Sequence, residues 1–313
     1  MKPDADNIKL ENVKCVICDS DNTELLFNAP DKLLHHYKGH FPIKRCKNCG
    51  LVYVNPRATE ETKGFYYTDE YSFKSDKPSQ AIAHYLPVIR ELKKMDPGSI
   101  YDVGTGNSQF LLLMRDMGWE VGGNEVDISL VDFFREEHQI DIQYGNLEDV
   151  GHESKSVDVV TIMGVLEHTP NPKRLLQEVN WMLKDDGKLI LWCFNRNFEA
   201  ALMGRYWLGF DPPRHRYSFS EKTLKKLLSE AGFTAEGKVY APRTTLFHSA
   251  KWMILQLRNA ITRSSQSTPA MSVPKPFQFA SNCFGTATAK LGTSPSIYLF
   301  CKRKETRSPS GIT

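Results

Sequence analysis

From residue 99 onward, short runs of apolar and β-branched residues alternate along the chain with amphipathic stretches of helical period. The runs read SIYDVG, WEVGGNEV, IDIQYG, VDVVTIM and KLILWCF. Nearly continuous apolar runs are typical of strands that are buried on both faces, and helices between them supply the crossovers of a parallel sheet. A helix over 221–231 and strands near 234–240 and 296–301 complete the pattern. We therefore predict an α/β fold with a doubly wound, mostly parallel sheet.

The pattern before residue 99 is different, and it divides the chain into three regions. Residues 1–57 hold two Cys-x-x-Cys pairs and a short apolar stretch, whereas residues 58–96 are rich in tyrosine and then become helical. We predict a small module at 1–57, a linker with a helix at 58–96, and a main domain at 97–313. The main domain carries a basic helical insertion at about 241–295.

Cys15, Cys18, Cys46 and Cys49 form the two Cys-x-x-Cys pairs, which are separated by 27 residues. Each turn can present two thiolates, and four thiolates complete the shell of one tetrahedral zinc ion. A nearby histidine could replace one thiolate, and buried free cysteines or a redox pair are the alternatives. A four-thiolate site has no open position for chemistry, so we predict structural zinc in a zinc-ribbon-like module.

Composition and charge are those of an ordinary globular protein. The chain has 313 residues, of which 41% are apolar and 25% charged, and this is enough apolar material for a core. The net charge of +3 is uneven, because residues from 241 onward hold ten lysines and arginines against one acidic residue. The first 240 residues therefore carry a balance of −6, which disfavours nucleic acid as a partner. With no secretory signal or membrane-spanning run in view, we expect a cytoplasmic protein that is at most peripheral to a membrane.

The basic region contains one amphipathic helix, predicted at 245–262. Its apolar stripe is formed by Leu246, Ala250, Met253, Ile254, Leu257 and Ile261, and the apolar face is broadened by Phe247, Trp252 and Leu255. Lys251 and Arg258 lie on the opposite side of the helix in this projection. We expect the helix to pack on the domain or in a homodimer interface, and the alternative is contact with an anionic membrane surface.

A glycine loop follows the first strand of the main domain and opens a helix. Asp102, Gly104 and Gly106 give the pattern Asp-x-Gly-x-Gly, in which glycines let the backbone turn tightly and approach a ligand at a helix N-terminus. A dinucleotide fingerprint would need a third glycine where this chain has Gln109. Glu125, at the end of the second strand, can accept both ribose hydroxyls of an adenosine. A tight strand-to-helix turn without a ligand is the alternative.

With these residues in place, the chain resembles class I S-adenosylmethionine (SAM)-dependent methyltransferases from about residue 99 to 303. The matching segments are IYDVGTGNSQFLLLMRDMGWEVGGNEVD, YGNLEDV and VDVVTIMGVLEHTPNPKRLLQEVNWMLKDDGKLILWCFN. The resemblance implies a seven-stranded sheet with an antiparallel last strand, and SAM as the cofactor. The cofactor-binding residues that it implies are Asp102, Gly104, Gly106, Glu125, Asn146 and Leu147, the last two flanking the adenine. The family usually has a third glycine in the loop, where this chain has Ser108.

The later segment FDPPRHRYSFSEKTLKKLLSEAGF is similar to one subgroup of that family, which also carries an N-terminal zinc-binding Cys-x-x-Cys pair. Members of the subgroup methylate deoxysugars, surface glycans and other small metabolites. The resemblance implies methyl transfer to a small, anionic metabolite such as a nucleotide-linked sugar or a glycan precursor. Ser108 leaves open a non-catalytic binding or assembly module, and the charge balance disfavours a third interpretation, a nucleic-acid methyltransferase.

Two histidines are candidates for removing the acceptor's proton, a step that methyl transfer needs besides alignment. Glu167 and His168 directly follow the fourth strand, at the sheet edge where the cofactor would lie, although they could instead brace the pocket. His215 lies between Arg214 and Arg216 after strand five, and no apolar periodicity explains it as a core residue. We predict His215 as the general base with His168 as the alternative, and the two arginines as ligands for an anionic substrate group.

Three tyrosines in the polar linker are candidates for closing the pocket. They are Tyr66, Tyr67 and Tyr71. A tyrosine combines a flat apolar ring with a hydroxyl, so we predict all three as lids over the cofactor and Tyr66 and Tyr67 as substrate contacts. Packing of these rings on the sheet, without a ligand, is the alternative.

Overall fold

The computed structural model of the chain describes residues 8–31, 39–65, 78–106, 109–242, 244–262 and 275–304. Its strands are, in chain order, β1 (Leu10–Glu11), β2 (Thr23–Pro30), β3 (His40–Cys46), β4 (Val52–Val54), β5 (Arg57–Ala58), β6 (Ser99–Val103), β7 (Glu120–Glu125), β8 (Ile142–Tyr144), β9 (Val157–Met163), β10 (Leu183–Phe194), β11 (Tyr217–Ser218), β12 (Phe233–Tyr240) and β13 (Ser296–Arg303). Its α-helices are α1 (Pro78–Leu92), α2 (Gln109–Asp116), α3 (Ile128–His138), α4 (Leu147–Val150), α5 (Pro172–Met182), α6 (Phe198–Met203), α7 (Glu221–Glu230), α8 (Leu246–Thr262) and α9 (Lys275–Lys290). Short 3-10 helices cover Glu60–Phe65 and Gly204–Tyr206.

Seven of these strands form the main sheet, in the order β12-β13-β10-β9-β6-β7-β8. Neighbours from β10 to β8 are parallel, and β13 is antiparallel to both β10 and β12. The predicted α/β sheet with an antiparallel last strand is therefore confirmed. Because β6 lies between β9 and β7, the chain winds away from β6 in both directions. A crevice for a ligand is expected at this point, outside the carboxyl ends of the strands.

The main sheet is buried on both faces, which explains its continuous apolar runs. Along β9, Val160 and Ile162 belong to one core and Val159 belongs to the other. Helices α5 and α7 cover the first face, and α1, α2 and α3 cover the second. Successive side chains of a strand point to opposite faces, so a strand covered on both sides is apolar at consecutive positions. Each fully buried valine or leucine contributes about 1.5–3 kcal/mol, and the two cores together hold the sheet edge in place.

The predicted N-terminal region forms β1 to β5, which we call the cysteine module. Its β2, β3 and β4 lie in a four-stranded sheet of order β11-β4-β3-β2, whose outer strand β11 comes from the main domain. In this pairing Tyr217 lies opposite Tyr53, and Ser218 lies opposite Val52. A third apolar core also contains residues from both regions. The cysteine module and the main domain therefore share a sheet and a core.

The predicted amphipathic helix is present as α8. Trp252 and Leu255 are buried, and the Trp252 ring lies 5.7 Å from that of Tyr206. Ile254 and Leu257, two residues of the predicted apolar stripe, are 62% and 50% exposed. The Trp252 side of the broad apolar face therefore packs on the protein, and the Ile254 side is exposed. Contact of the exposed face with a membrane or a second copy of the chain stays a prediction.

Among the described residues, no helix combines the length and the apolar character that crossing a membrane requires.

Candidate functional site

The glycine loop lies at the carboxyl end of β6 and leads toward α2. Gly104 has φ +66° and Gly106 has φ +56°, which are backbone conformations that favour glycine. A Cβ at Gly104 would lie 2.7 Å from Cγ2 of Val165, whereas a Cβ at Gly106 would meet none of the described residues within 4 Å. Position 104 therefore packs against the loop that follows β9, and position 106 borders open space into which a ligand can approach.

Glu125 ends β7 and binds the glycine loop directly. Its Oε2 accepts the N–H of Gly106 at 2.7 Å, and its Oε1 accepts the N–H groups of Val126 and Asp127 at 2.7 and 3.0 Å. The residue is 7% exposed. Because each carboxylate oxygen has two lone pairs, Oε2 keeps one acceptor position. The carboxylate is thus held beside the loop, where the ribose of an adenosine would need it.

The other predicted cofactor residues lie in β6 (Asp102) and just after β8 (Asn146 and Leu147). Asp102 is buried and accepts a hydrogen bond from the Thr161 hydroxyl at 2.5 Å, so it joins β6 to β9. Asn146 is exposed and donates to Asp149 at 2.9 Å, and Leu147 is buried at the start of α4. Direct contact of these side chains with a cofactor stays a prediction.

The arrangement fits SAM as a cofactor. Glu125 offers a carboxylate for ribose hydroxyls, and Gly106 leaves space for a ligand. Thr105, between the two glycines, is buried, and its hydroxyl has no hydrogen-bond partner among the described residues. A buried hydroxyl needs a partner, and a polar ligand in the loop would supply one. The predicted residues that lie outside the described ones are Ser108, Tyr66, Tyr67 and Tyr71.

The three predicted catalytic residues meet at the carboxyl edge of the main sheet, and we call them the acceptor cluster (Glu167, His168 and His215). One donor atom from each lies within 4.8 Å of the others, and the two imidazole rings are 4.7 Å apart. Glu167 and His168 belong to the loop after β9. The N–H groups of Arg216 and Tyr217 donate to the Glu167 carbonyl at 2.9 and 3.3 Å, which holds the His215 segment against that loop.

The hydrogen bond of His215 determines which of its nitrogens is available. Nδ1 of His215 lies 3.0 Å from the carbonyl oxygen of Gly209. A carbonyl oxygen only accepts, so Nδ1 carries the hydrogen and Nε2 of the neutral ring has the free lone pair. The ring of Phe194 packs 5.3 Å away and limits movement of the imidazole. Nε2 is therefore the atom of His215 that can take a proton.

Burial changes the proton affinity of the two residues beside His215. It raises the pKa of Glu167, while the nearby His215 lowers it, and burial prevails. The Oε2 atom of Glu167 is buried without a hydrogen-bond partner among the described residues. Burial, and then the proximity of His215, hold the pKa of His168 well below its usual range. His168 is therefore neutral near pH 7 and is a weaker proton acceptor than an ordinary histidine.

The acceptor cluster allows two kinds of chemistry. A histidine with a free Nε2 near a carboxylate can accept a proton, and the carboxylate then stabilises the imidazolium. Two imidazoles and a carboxylate are also ligands that divalent transition metals accept. The spacing of the donor atoms, within 4.8 Å of one another, permits either role.

The structure does not support the predicted role of Arg214 and Arg216 as substrate ligands. Arg214 is fully buried, and its guanidinium binds Asp31 at 2.5 Å and Asp211 at 2.8 Å. Arg216 is 3% exposed and pairs with Glu60. Guanidinium groups that are enclosed and bound by carboxylates are committed to the protein. Asp31 was missed because it lies 183 residues from Arg214, and no local pattern marks it.

The four cysteines of the module lie together. The sulfur of Cys15 is 3.4 Å from that of Cys49, and the sulfur of Cys18 is 3.5 Å from that of Cys46. All four sulfurs lie within 4.8 Å of one another. Zinc–sulfur bonds of about 2.3 Å in a tetrahedron place the sulfurs about 3.8 Å apart. The donor set therefore fits one zinc ion.

The turns around the cysteines direct backbone amides at two of the sulfurs. Burial raises the pKa of Cys46, but hydrogen bonds from the N–H groups of Cys49 and Asn48 and from neighbouring thiols outweigh it, and the net pKa is lowered. The equivalent pair of turn amides is directed at Cys15, where burial still raises the pKa. Zinc binds the deprotonated sulfur, so amides directed at both sulfurs are consistent with a metal-binding turn.

Comparison with known proteins identifies the family of the main domain. A family model described as "Methyltransferase domain" matches residues 77–237, about half of the chain. A ubiquinone biosynthesis O-methyltransferase of Coxiella burnetii is 32% identical over 108 residues, which are 33% of this chain and 46% of that protein. A protein of the same name from Xanthomonas axonopodis pv. citri is 27% identical over 188 residues, 54% of this chain and 79% of that protein. The chain thus spans about half the length of the first of these relatives.

Solved structures support the fold. The complex between the Haloferax volcanii Trm112 methyltransferase activator and a methyltransferase has a chain that aligns with a TM-score of 0.51. The alignment covers 76% of this chain and 97% of that chain at 14% sequence identity. At this identity the likeness concerns the fold alone.

Proposed function

The chain belongs to the methyltransferase-domain family, and on that premise we propose that it is a SAM-dependent enzyme that methylates a hydroxyl group of a small metabolite. The proposal rests on one observation: the glycine loop with Glu125 and the acceptor cluster both lie at the carboxyl edge of the main sheet. Glu125 lies at the glycine loop after β6, and Glu167 and His168 of the acceptor cluster follow the adjacent strand β9. His215 lies against them from the segment before β11. A cofactor at the first would lie next to a proton acceptor at the second. The choice of oxygen follows the printed name of the relatives, O-methyltransferase.

The residues of the acceptor cluster have distinct roles in this proposal. When bound, SAM supplies a methyl group on a positively charged sulfur. Nε2 of His215 accepts the proton of the acceptor hydroxyl as the oxygen becomes the nucleophile. The carboxylate of Glu167 stabilises the resulting imidazolium, and Gly209 holds Nδ1 and with it the ring orientation. His168, whose pKa is low, stays neutral and fills the wall beside His215.

The identity of the acceptor is the finer part of the proposal. A nucleotide-linked sugar or glycan precursor was predicted from the subgroup resemblance, and an anionic group on it was also inferred from Arg214 and Arg216. Both arginines are bound by carboxylates, so the structure gives no separate support for an anionic acceptor. The relatives are named for the biosynthesis of ubiquinone, which contains a quinone ring. Hydroxylated aromatic compounds are therefore the second acceptor class to compare with nucleotide-linked sugars.

A methyl-transfer screen tests the proposal. The purified chain is incubated with SAM and each acceptor class, and S-adenosylhomocysteine release is measured together with the mass gain of one methyl group. We expect one class to be methylated, and the activity to be lost in His215→Gln. SAM binding without turnover on either class would favour the alternative of a non-catalytic binding or assembly module.

A metal at the acceptor cluster is the second role that the geometry permits, because two imidazoles and a carboxylate face one another there. Metal content separates it from proton transfer. If His215 acts as a base, His168→Gln and His215→Gln both keep the metal content of the wild type. If the cluster binds a metal, both variants lose one ion per chain while the four cysteines keep theirs.

A further inference from the structure

We propose that the cysteine module positions His215, through a buried ion-pair chain that runs from Asp31 of the module to Arg214 and Asp211 beside the histidine. The inference rests on the proposed function of His215, and it assigns Asp31 and Arg214 as positioning residues. It also gives the cysteine cluster a second consequence beyond folding of the module. The cluster would maintain the geometry of the acceptor half of the site without touching a substrate.

The ion-pair chain is enclosed along its length. Asp31 directly follows β2, and the side chains of Asp31 and Arg214 are both fully buried. Nη2 of Arg214 donates to Asp31 Oδ1 at 2.5 Å and to Asp211 Oδ1 at 2.8 Å, and Nε donates to Asp211 Oδ2 at 2.8 Å. The guanidinium therefore bridges two carboxylates, one from the module and one from the turn that carries His215.

Backbone contacts transmit this bridge to His215. The N–H of His215 donates to the carbonyl of Asp211 at 2.9 Å, so the residue held by Arg214 is also the start of the turn. On the other side of the histidine, the N–H of Val54 in β4 donates to the carbonyl of Arg216 at 2.9 Å. The two flanks of His215 are thus each fixed by a residue of the cysteine module, Asp31 on one side and Val54 on the other.

The cysteine cluster sets the geometry of the strands that make these contacts. β3 ends at Cys46, and the N–H of Cys46 donates to the carbonyl of Leu51 at 2.8 Å, immediately before β4. Cys49 lies in the turn between the two strands. β4 then pairs with β11, which follows His215 by two residues. A change in the cysteine turn would therefore reach β4, then β11 and the His215 turn.

The charge of Asp31 compensates that of the buried Arg214 guanidinium. A buried guanidinium that loses one of two carboxylates keeps an incompletely compensated charge away from water. The turn at 211–216 must then move to find water or another acceptor, since Asp211 belongs to it. Faster hydrogen exchange that is confined to the turn would indicate a positioning role for Asp31. A general loss of stability would instead speed exchange over the whole chain to a similar degree.

The test compares Asp31→Asn with a matched control, Glu61→Gln, in the full chain. Glu61 pairs with Lys9, and their side chains are 72% and 71% exposed. We expect Asp31→Asn to speed amide hydrogen exchange at 211–218 by about 10-fold or more, while the exchange rates of the main sheet stay unchanged. The nitrogen NMR spectrum of His215 should lose its single Nδ1–H tautomer, while the Kd for SAM stays within about twofold. Glu61→Gln should show none of these changes.

Unchanged exchange at 211–218 and an unchanged His215 spectrum in Asp31→Asn would overturn the proposal, as would a uniform rise in exchange over the whole chain. If Asp31→Asn does not fold, Asp31→Glu replaces it, because it keeps the charge and displaces the carboxylate that Arg214 binds. That variant should speed exchange at 211–218 to a smaller degree, and no local change would again overturn the proposal. If Asp31→Asn disturbs His215 but His215→Gln keeps its turnover, the positioning stands and the base is another group.

Discussion

The two halves of the candidate site are built in different ways. The cofactor half is local, because the glycine loop and Glu125 come from two adjacent parallel strands and bind each other directly. The acceptor half is assembled from distant parts of the chain, and Asp31 and Arg214 are 183 positions apart. A local motif can form its geometry from a strand, a turn and a helix. The acceptor half needs the cysteine module and the main domain to be folded together, so the two halves should fail independently.

The largest expected effect comes from breaking the cysteine cluster. We predict one zinc ion per chain in the wild type and its loss in Cys46→Ser, which should unfold the module, since structural zinc contributes on the order of 10 kcal/mol to small modules. SAM binding should be affected less, because Glu125 and the glycine loop bind each other directly. Metal analysis and calorimetry check both points. Cys283→Ser, at an exposed cysteine outside the cluster, is the control, and equal zinc loss there would contradict the assignment.

His215→Gln should break the acceptor half without disturbing either fold or cofactor. Loss of a general base lowers turnover by roughly 10²–10⁴-fold, and glutamine keeps a polar side chain at the position. Steady-state rates on the acceptor found in the screen measure the effect, with the Kd for SAM as the internal control. Wild-type turnover in His215→Gln combined with a large loss in His168→Gln would transfer the role of base to His168.

Gly104→Ala should break the cofactor half in turn. Alanine at φ +66° is strained, and its Cβ would meet Val165 Cγ2 at 2.7 Å, so we expect a loss of about 2–4 kcal/mol in the free energy of unfolding. Gly106→Ala is the matched control, since its Cβ would meet no atom within 4 Å in the described part of the chain and its penalty should be the backbone strain of about 1–2 kcal/mol. Urea denaturation measures both. Equal losses would show that position 104 is not packed against the β9 loop.

The smallest expected effect is the pH dependence that His168 contributes to stability. Burial lowers its pKa in the folded state below the value of about 6.5 that an ordinary histidine has, so below that pH the unfolded chain binds more protons than the folded chain. Stability is therefore lost as the pH falls, by up to about 1.4 kcal/mol per pH unit from this group. The free energy of unfolding of His168→Gln should fall less steeply than that of the wild type below about pH 6.5. Parallel curves would contradict the burial of a neutral His168.

The difference between the halves also explains what the sequence could predict. The runs of valine and isoleucine in β9 and the spacing of Gly104 and Glu125 are local signals, and they led to the correct sheet and to a loop of the expected shape. Arg214 was assigned to the substrate because its partner Asp31 lies far away in sequence. The sequence could not decide which part of the broad apolar face of α8 packs inward, because Ile254 and Trp252 are both apolar and only packing against Tyr206 distinguishes them.

The central claim is that the glycine loop and Glu125 form a SAM-binding site. Calorimetry with SAM on the wild type and on Glu125→Gln tests this claim most directly. Glu125 binds the loop through its carboxylate, and losing a charged hydrogen bond costs about 1.5–3 kcal/mol, roughly 10–100-fold in Kd. Glu120→Gln, at the exposed start of β7, is the control and should bind as the wild type does. We predict micromolar binding by the wild type that weakens by this factor in Glu125→Gln. No binding by the wild type, or equal binding by both, would contradict the claim.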